Sequence, residues 1–178
     1  MGIDSIHGIT SKERLFFCLC FCRIKVKYED TISKGDFEMK KLMESCLEDI
    51  EFVERQLVDF NESHVPFELT VPFNQFNQHI KDESGCIIAG INCVYYAWHC
   101  IYIDALWVSE EHRGMGLASE LLTKIEQLGR EYGCHLIHLD TFDFQAKDFY
   151  LKHGYEIHGV LEDCPKGHER YYMKKVLV

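Results

Sequence analysis

Apolar residues recur along the chain with two different periods, and each period predicts a type of element. From Leu47 they fall three or four positions apart, which predicts a helix that ends near Asn61. Alternation from Phe73 predicts a strand that closes at Ser84–Gly85. Two apolar runs with a short connection, "CIIAGINCVYYAW" and "CIYIDALWV", predict a β-hairpin.

The second half of the chain alternates predicted strands with predicted helices. The stretch "LWVSEEHRGMGLASELLTKIEQLG" passes from a strand through a glycine loop into a helix with one apolar stripe, which Gly133 ends. "HLIHLDT" predicts a strand, and "FQAKDFYLKHG" predicts a short helix that stops at Gly154. "YEIHGVL" and "RYYMKKVLV" predict a final strand pair. The predicted fold class is α/β, with a central twisted mixed β-sheet flanked by helices.

The composition is that of a globular protein with an acidic balance of charge. Of 178 residues, 47% are hydrophobic and 27% are charged, three are proline, and the formal net charge is −10. A chain of this length and composition normally forms one domain with its own core. Because binding to a phosphate backbone needs a surplus of basic residues, we expect no nucleic acid partner.

The cysteines and the first apolar run argue against a secreted or membrane-bound protein. None of the nine cysteines forms a C-x-x-C pair, so we predict reduced thiols in the cytoplasm. The run "RLFFCLCFC" is too short to span a bilayer, and no small-residue cleavage site follows it. We therefore expect no membrane partner.

Residues 1–38 are a doubtful N-terminal extension. The stretch "KGDFEM", which ends at Met39, can be encoded as AAA-GGA-GAT-TTT-GAA-ATG, a ribosome-binding sequence, a spacer and a start codon. We hypothesise that residues 1–38 are a translated leader and that residues 39–178 form the functional domain, encoded by a bacterial message. An intact mass of the native protein that includes residues 1–38 would refute this hypothesis.

Arg113 and two glycines separate a predicted strand from a predicted helix, as in loops that bind anions. The Walker pattern G-x-x-x-x-G-K-[ST] is absent. The dinucleotide pattern G-x-G-x-x-G/A is nearly met by Gly114, Gly116 and Ser119, but "SEEHR" intervenes after the strand. The pattern R-x-x-G-x-A is met by Arg113, Gly116 and Ala118, and it suits a pyrophosphate at a helix N-terminus. On the loop alone, a turn that only reverses the chain is an alternative.

Two separate motifs together resemble the GNAT superfamily of acyl-CoA N-acyltransferases. "LWVSEEHRGMGLASELL" is similar to the family's fourth strand, pyrophosphate loop and third helix. "LDTFDFQAKDFYLKHGYEIHG" is similar to its pattern N-x-x-A-x-x-x-Y followed by Gly and an aromatic residue, although Asp143 replaces the usual Asn. The matching positions are Ala146, Tyr150, Gly154 and Tyr155. The resemblance covers about residues 47–177, and the ending resembles a small bacterial subgroup.

The resemblance implies that acetyl-CoA is the co-substrate and that it lies along the strand and loop. The backbone groups predicted to pair with its pantetheine arm are those of Leu106, Trp107 and Val108. One of these N–H groups would face the thioester oxygen. The residues predicted to bind the pyrophosphate are Arg113, Gly114, Met115, Gly116, Leu117 and Ala118. Tyr150 would protonate the leaving thiolate, and packing on an amphipathic helix is its alternative role.

A general base and an acceptor site are predicted from carboxylates and histidines. Asp104 interrupts the apolar strand "IYIDALWV", and a buried carboxylate with a raised pKa could take up the ammonium proton through water. Its alternative role is a structural hydrogen bond. Strand alternation predicts that Asp104 shares its face with Tyr102, Leu106 and Val108. The further candidates, mainly for the acceptor site, are His64, His138, Asp140 and His168.

No metal is expected, although Cys134, His135 and His138 lie close together in sequence. Strand alternation places His135 and His138 on opposite faces, so they would not share one zinc ion.

The predicted function is acetyl transfer from acetyl-CoA to a primary amine of a small cationic acceptor, directly and through a tetrahedral intermediate. The acidic charge suits a polyamine, an aminoglycoside-type antibiotic or a peptide amine, and a homodimer is one expected assembly. The alternative is a non-catalytic acyl-CoA-binding or sensor module with the same fold, which the retention of Tyr150 disfavours. A nucleotide-binding oxidoreductase is a weaker alternative, because its glycines would begin at the end of the strand.

Overall fold

The structure, a computed structural model, describes residues 42–67, 73–96 and 98–177. The chain divides into two units, of which the first ends at Pro66 and the second begins at Phe67. The first unit contains helix α1 (Leu47–His64). The second contains the strands, a 3₁₀ turn and two further helices. The predicted leader lies outside the described residues.

Helix α1 forms where the apolar spacing predicts it and extends to His64. At its start, the N–H of Cys46 donates to Asp49 Oδ2 at 2.9 Å, and Glu48 adds a second negative charge to the first turn. Both carboxylates are favourable at the positive end of the helix dipole.

Seven strands form one mixed sheet in the second unit. They are β1 (Phe73–Gln75), β2 (Gln78–Lys81), β3 (Ile87–Tyr96), β4 (Cys100–Val108), β5 (Leu136–Phe142), β6 (Glu156–Glu162) and β7 (Glu169–Val176). The order across the sheet is β1-β3-β4-β5-β7-β6, and β2 pairs with the same edge of β3 as β1 does. β4 and β5 are parallel and the other pairs are antiparallel. The predicted α/β class with a mixed central sheet is confirmed.

The single edge strand predicted from Phe73 is in fact two short strands, β1 and β2. Phe76 and Asn77 interrupt the pairing with β3. The N–H of Phe76 donates to the Cys93 carbonyl at 3.0 Å, and Asn77 Oδ1 accepts from the Cys93 N–H at 3.1 Å. A side-chain amide thus replaces a backbone partner at the break, and alternation of residue types does not reveal such a replacement.

β3 and β4 form the predicted hairpin, which contains one irregularity. Cys93 pairs with Ile103 and Asn92 pairs with Ala105, so Asp104 is an extra residue on β4. A bulge of this kind bends the strand and reverses the alternation of faces for the residues that follow it.

Two helices cover one face of the sheet. α2 (Leu117–Glu131) connects β4 to β5, and α3 (Lys147–Lys152) connects β5 to β6. The β4–α2–β5 and β5–α3–β6 crossovers run in the same direction across the sheet. Because crossovers between parallel strands are right-handed, the two helices lie on the same face. Leu122 and Ile125 of α2 and Tyr150 of α3 belong to one buried cluster with Ile137 and Leu139 of β5. This cluster is the core of the second unit.

The C-terminal strands β6 and β7 form the predicted hairpin around residues 163–168. The N–H of Cys164 donates to the His168 carbonyl at 3.0 Å, and Asp163 Oδ1 accepts from the N–H of Gly167 at 2.7 Å. β7 lies between β5 and β6 in the sheet. In the described part of the chain, no helix has the length and apolar character of a membrane span.

Candidate active site

The parallel strands β4 and β5 separate partway along their length. Their pairing ends at Ile103 and Leu139, although β4 continues to Val108 and β5 to Phe142. Beyond this point β4 pairs with β3 and β5 pairs with β7. The bulge at Asp104 lies where the separation begins. We call the opening between residues 104–108 of β4 and 140–142 of β5 the strand gap.

Two residues of β4 direct their backbone groups into the strand gap. The N–H of Ser109 donates to the Ile88 carbonyl at 2.8 Å, so the Ser109 backbone faces β3. Successive residues of an antiparallel ladder face opposite sides, so the backbone groups of Leu106 and Val108 face the gap. The backbone of Trp107, by the same alternation, faces β3. Because the N–H and carbonyl of Trp107 are directed at β3, the pantetheine pairing stays a prediction for Leu106 and Val108.

The loop between β4 and α2 places a positive end beside the strand gap. A 3₁₀ turn (Glu110–His112) leads into Arg113, whose Nε–H donates to the Val108 carbonyl at 3.4 Å. Gly114 and Gly116 have φ of 77° and 86°, a left-handed backbone that glycine adopts without strain. Gly116 precedes α2 and carries no side chain, so this residue does not cap the first N–H groups of α2. Such a helix start suits an anion.

Tyr150 lies on α3 with its side chain in the buried core that adjoins the strand gap. Its side chain is 6% exposed and its ring packs edge-on against Tyr155, with 5.6 Å between centroids. Burial raises its pKa, and interactions with Cys93 and Asp140 raise that pKa further. Tyr150 shares its buried cluster with Cys93, which pairs beside the bulge, and with Ile103 and Leu139, the last paired residues of β4 and β5. Tyr150 therefore has a packing role in the core, and its role as proton donor stays a prediction.

The bulge changes the predicted surroundings of Asp104. Leu106 and Val108 pack against the core on the same face as Ile103, whereas Tyr102 lies on the opposite face. The expected face shared by Asp104, Tyr102, Leu106 and Val108 is therefore wrong, because the alternation shifts by one residue after Ile103. The expected burial of Asp104 is also wrong, since the residue is exposed.

Asp104 nevertheless lies close to the base of the strand gap. Burial raises the pKa of the Cys93 thiol, and the negative charge of Asp104 raises it further. The pKa of Tyr102 is raised by burial, by Asp140 and also by Asp104. An exposed carboxylate thus lies at the bulge, directly after the last residue of β4 that pairs with β5.

Asp140 is already engaged on both carboxylate oxygens. The Tyr102 hydroxyl donates to Oδ1 at 2.7 Å, and Arg170 Nε–H donates to Oδ2 at 2.7 Å. The Asp140 side chain is 10% exposed, and Arg170 balances its charge. This carboxylate holds β4, β5 and β7 together on the face opposite the helices, which leaves it poorly suited to take up an acceptor proton.

His138 lies on the same face as Asp140 and contacts the Tyr96 hydroxyl through Nε2. Burial lowers its pKa to about 4, His158 lowers it as well, and Asp140 opposes the shift. His138 is therefore neutral at neutral pH. Its ring also packs against Tyr102, with 5.1 Å between centroids, so it belongs to the polar and aromatic layer on this face.

The two remaining acceptor candidates lie in different units. His168, in the hairpin turn before β7, places Nδ1 3.1 Å from both carboxylate oxygens of Asp143 and contacts the Phe144 ring edge-on. Asp143 and Phe144 directly follow β5, at the outer end of the strand gap. His64 belongs to the first unit, where its ring Nδ1 contacts the Phe60 carbonyl of its own helix at 2.8 Å.

Three residues that contact the candidate site were not predicted from the sequence. Tyr102 and Arg170 donate to Asp140, and Cys93 lies in the same buried cluster as Tyr150. A signal for Arg170 exists, because β7 alternates buried Tyr171 and Met173 with polar Arg170. Alternation alone does not show which carboxylate such a residue will meet. Among the described residues, no group of His, Cys, Asp or Glu is arranged to hold a metal ion.

The geometry of the strand gap and its loop indicates the class of ligand that this protein binds. A sheet that opens between parallel strands, with an anion-binding loop on one strand and a buried phenol at the base, suits an extended ligand with a phosphate-bearing end. The chain belongs to the acetyltransferase (GNAT) family, whose model matches residues 39–155. It is therefore an acetyltransferase enzyme, as predicted.

Relatives and solved structures agree with this assignment. Blasticidin-S acetyltransferase of Streptomyces morookaense is 32% identical over 107 residues, which are 60% of this chain and 78% of that protein. A crystal structure of an acetyltransferase from Bacillus cereus is 38% identical, with a TM-score of 0.73 over 78% of this chain and 99% of that one. A candidate streptothricin acetyltransferase of Bacillus anthracis, solved with acetyl coenzyme A, shares the fold at 22% identity and a TM-score of 0.53, over 62% of this chain and 66% of that one.

Proposed function

We propose that this enzyme transfers the acetyl group of acetyl-CoA directly to a primary amine of a small cationic acceptor. The observation that carries the proposal is the strand gap, where β4 and β5 separate after Ile103 and Leu139. Within residues 42–67, 73–96 and 98–177, no strand pairs with Leu106 and Val108 on the side that faces the gap. An extended pantetheine arm has amide groups that can pair with such an edge.

The loop after β4 would hold the phosphates of the co-substrate. The left-handed glycines Gly114 and Gly116 let the backbone approach an anion closely, and the start of α2 supplies N–H groups. The Arg113 guanidinium adds a positive charge at the same end of the gap. The residues that we assign to this contact are Arg113, Gly114, Met115, Gly116, Leu117 and Ala118.

We assign stabilisation of the oxyanion to a backbone N–H group of β4. In the tetrahedral intermediate the thioester oxygen carries a negative charge, and a backbone N–H fixed in a strand stabilises that charge without reorganising. Leu106 and Val108 have N–H groups facing the gap, and Leu106 lies nearer to the bulge. We assign the contact to the Leu106 N–H.

Tyr150 is the proposed proton donor for the leaving thiolate. The new carbon–nitrogen bond forms as the amine attacks, and the carbon–sulfur bond breaks with the electron pair going to sulfur. Because burial raises the pKa of Tyr150, its hydroxyl is protonated at neutral pH and can donate that proton to sulfur. The proton lost by the amine goes to a base.

Asp104 is the proposed base, acting through water. It is exposed at the bulge, and its negative charge raises the pKa of Cys93, which lies in the same buried cluster as Tyr150. Asp140 is a weaker candidate, because its two oxygens already accept from Tyr102 and Arg170. In this proposal a water molecule carries the proton from the acceptor amine to the Asp104 carboxylate.

A direct transfer is favoured over an acetylated enzyme intermediate. The cysteine coupled to Tyr150 is Cys93, which is 1% exposed, and burial raises its pKa so that the thiol stays protonated. The thiolate is the nucleophilic form of cysteine, so this thiol is a poor acetyl acceptor.

The proposed acceptor is a cationic amine, and the proposed compartment is the cytoplasm. The net charge of −10 attracts cations, and the Streptomyces relative is named for a blasticidin S substrate. The described cysteines are free thiols, which is typical of a reducing compartment.

The test combines binding with steady-state kinetics. Acetyl-CoA should bind in calorimetry, and release of free thiol should be followed with polyamines, aminoglycosides, amino-terminal peptides and blasticidin S as acceptors. Direct transfer needs both substrates bound together, so initial velocities should give intersecting double-reciprocal lines. Parallel lines, together with an acetylated enzyme in the mass spectrum, would contradict the proposal.

A further inference from the structure

His153, the residue that follows α3, contacts two different helices through its two ring nitrogens. Nδ1 lies 2.8 Å from the Phe149 carbonyl of its own helix, and Nε2 lies 3.0 Å from Ser119 Oγ of α2. A carbonyl only accepts, so Nδ1 carries a proton and donates. In a neutral ring Nε2 then accepts the Ser119 hydroxyl proton. Both nitrogens of this half-buried ring are therefore used.

A second link joins the same helices and does not depend on the imidazole ring. Lys175 Nζ donates to the His153 carbonyl at 2.8 Å and to both oxygens of Glu126 on α2 at 2.7 and 2.8 Å. This link uses only the backbone of His153. A substitution of the His153 side chain therefore removes the contact with Ser119 and leaves the Lys175 contacts in place.

The imidazole joins the two ends of the proposed site. Ser119 lies in the first turn of α2, directly after the loop assigned to the phosphates. Phe149, on the other side, is the neighbour of Tyr150. The contact of His153 with Ser119 thus runs from the phosphate end of the site to the helix that carries the proposed proton donor.

We propose that His153 is a positioning residue that fixes α3, and with it the Tyr150 hydroxyl, relative to the phosphate-binding loop. The inference rests on the proposed function. α3 has only six residues, so its own backbone hydrogen bonds hold it weakly and its placement depends on contacts with neighbouring elements. A proton donor that is displaced by about 1 Å can cost up to about 100-fold in rate.

Two substitutions separate the contacts of the ring. The amide of His153→Asn reaches the position of Nδ1 and can still donate to the Phe149 carbonyl, whereas the longer His153→Gln reaches the position of Nε2 and Ser119. We expect His153→Asn to lower kcat about 10-fold with KM for acetyl-CoA within about 2-fold, and His153→Gln to recover most of the loss. His79→Asn, at an exposed histidine of β2, is the matched control.

Double-variant cycles test whether the three residues act together. Ser119→Ala should reproduce the kcat loss of His153→Asn, and the double variant should be no slower than either single one. His153→Asn should add no further loss to Tyr150→Phe, because it acts through that hydroxyl. Melting temperatures, measured alongside, should not follow the order of the kcat values.

The outcomes separate this proposal from the proposed function. A rise in KM with unchanged kcat for Ser119→Ala, additive losses, or no recovery with Gln would overturn the positioning role. An active Tyr150→Phe variant would instead overturn the assignment of the proton donor. If Tyr150→Phe is inactive and His153→Asn is normal, the positioning role alone fails.

Discussion

Two carboxylates near the strand gap have different surroundings and therefore different expected roles. Asp104 is exposed at the bulge of β4, where solvent and an incoming amine can reach it. Asp140 is mostly buried and binds Tyr102 and Arg170, which satisfies both of its oxygens. The surroundings of Asp104 therefore suit proton transfer, whereas Asp140 holds β4, β5 and β7 together.

We predict that Asp104→Asn and Asp140→Asn have opposite signatures. Asp104→Asn should lower kcat/KM about 100-fold or more, because the general base is lost, and leave the unfolding free energy nearly unchanged, because substitution of an exposed side chain costs little stability. Asp140→Asn should cost about 2–3 kcal/mol of stability, because the Arg170 charge loses its partner. Activity assays and urea unfolding of both variants check this. Full activity in Asp104→Asn would remove it as the base.

At the scale of elements, the position of α2 over the sheet depends on a close approach at Gly129. A β-carbon at this position would lie 2.7 Å from Leu177 Cδ1 and 3.0 Å from Ile101 Cδ1. Real β-carbons do not come this close to another atom, so any larger residue must push α2 or these side chains aside. Because α2 carries the phosphate-binding loop at its start, its position matters for the site as well as for stability.

We predict that Gly129→Ala destabilises the protein by about 1–3 kcal/mol, although alanine favours helix formation by about 1 kcal/mol. Adding Leu177→Ala should restore part of the loss relative to Leu177→Ala alone, since the nearest clashing atom is removed. Gly159→Ala is the control, because its β-carbon would come no closer than 3.8 Å to Tyr172. Thermal melting of the four variants measures this. A stabilised Gly129→Ala would contradict the close packing.

Periodicity predicted most of the elements, because it reports burial directly. The stripe from Leu117 gives α2, the paired apolar runs give the β3–β4 hairpin, and the last two runs give β6 and β7. The break at Asn77 was not predicted, because it depends on one side-chain hydrogen bond to Cys93 across the sheet. A contact of that kind has no local pattern.

The site was predicted less completely than the fold. The bulge at Asp104 had a signal in the sequence, because the apolar positions shift from Ile101 and Ile103 to Leu106 and Val108. The separation of β4 from β5 had none, since it depends on how two distant strands pair. For the same reason the partners of Asp140 could not be assigned before the register was known.

At the scale of the whole molecule, stability should depend on pH through His138. Burial lowers its pKa from 6.5 to about 4, with a further lowering from His158 and an opposing effect of Asp140. The unfolded chain therefore binds more protons than the folded one between these values. Above pH 6.5, His138 is neutral in both the folded and the unfolded chain, so it does not change the unfolding free energy. As the pH drops from about 6.5 toward 4, the unfolded chain takes up the proton first and the unfolding free energy falls.

We predict that the folded state loses about 2–3 kcal/mol through this one group on going from pH 7 to pH 4. His138→Asn should show a smaller decrease over the same interval, because it does not titrate. Urea unfolding of both proteins at several pH values measures the difference in slope. Equal slopes would show that His138 titrates alike in the folded and unfolded chains.

The central claim is that a buried phenol at the base of the strand gap protonates the thiolate of coenzyme A. Tyr150→Phe removes only the hydroxyl and keeps the ring packed in the core, so the fold and the binding edge of β4 should persist. Tyr132→Phe, at an exposed ring beyond the end of α2, is the control.

The decisive measurement is kcat of Tyr150→Phe set beside its Kd for acetyl-CoA from calorimetry. The account predicts that kcat falls about 100-fold or more while Kd changes by less than about 3-fold, since the hydroxyl is needed only as the thiolate leaves. An unchanged kcat would contradict the account, and so would a loss of activity explained entirely by weaker acetyl-CoA binding.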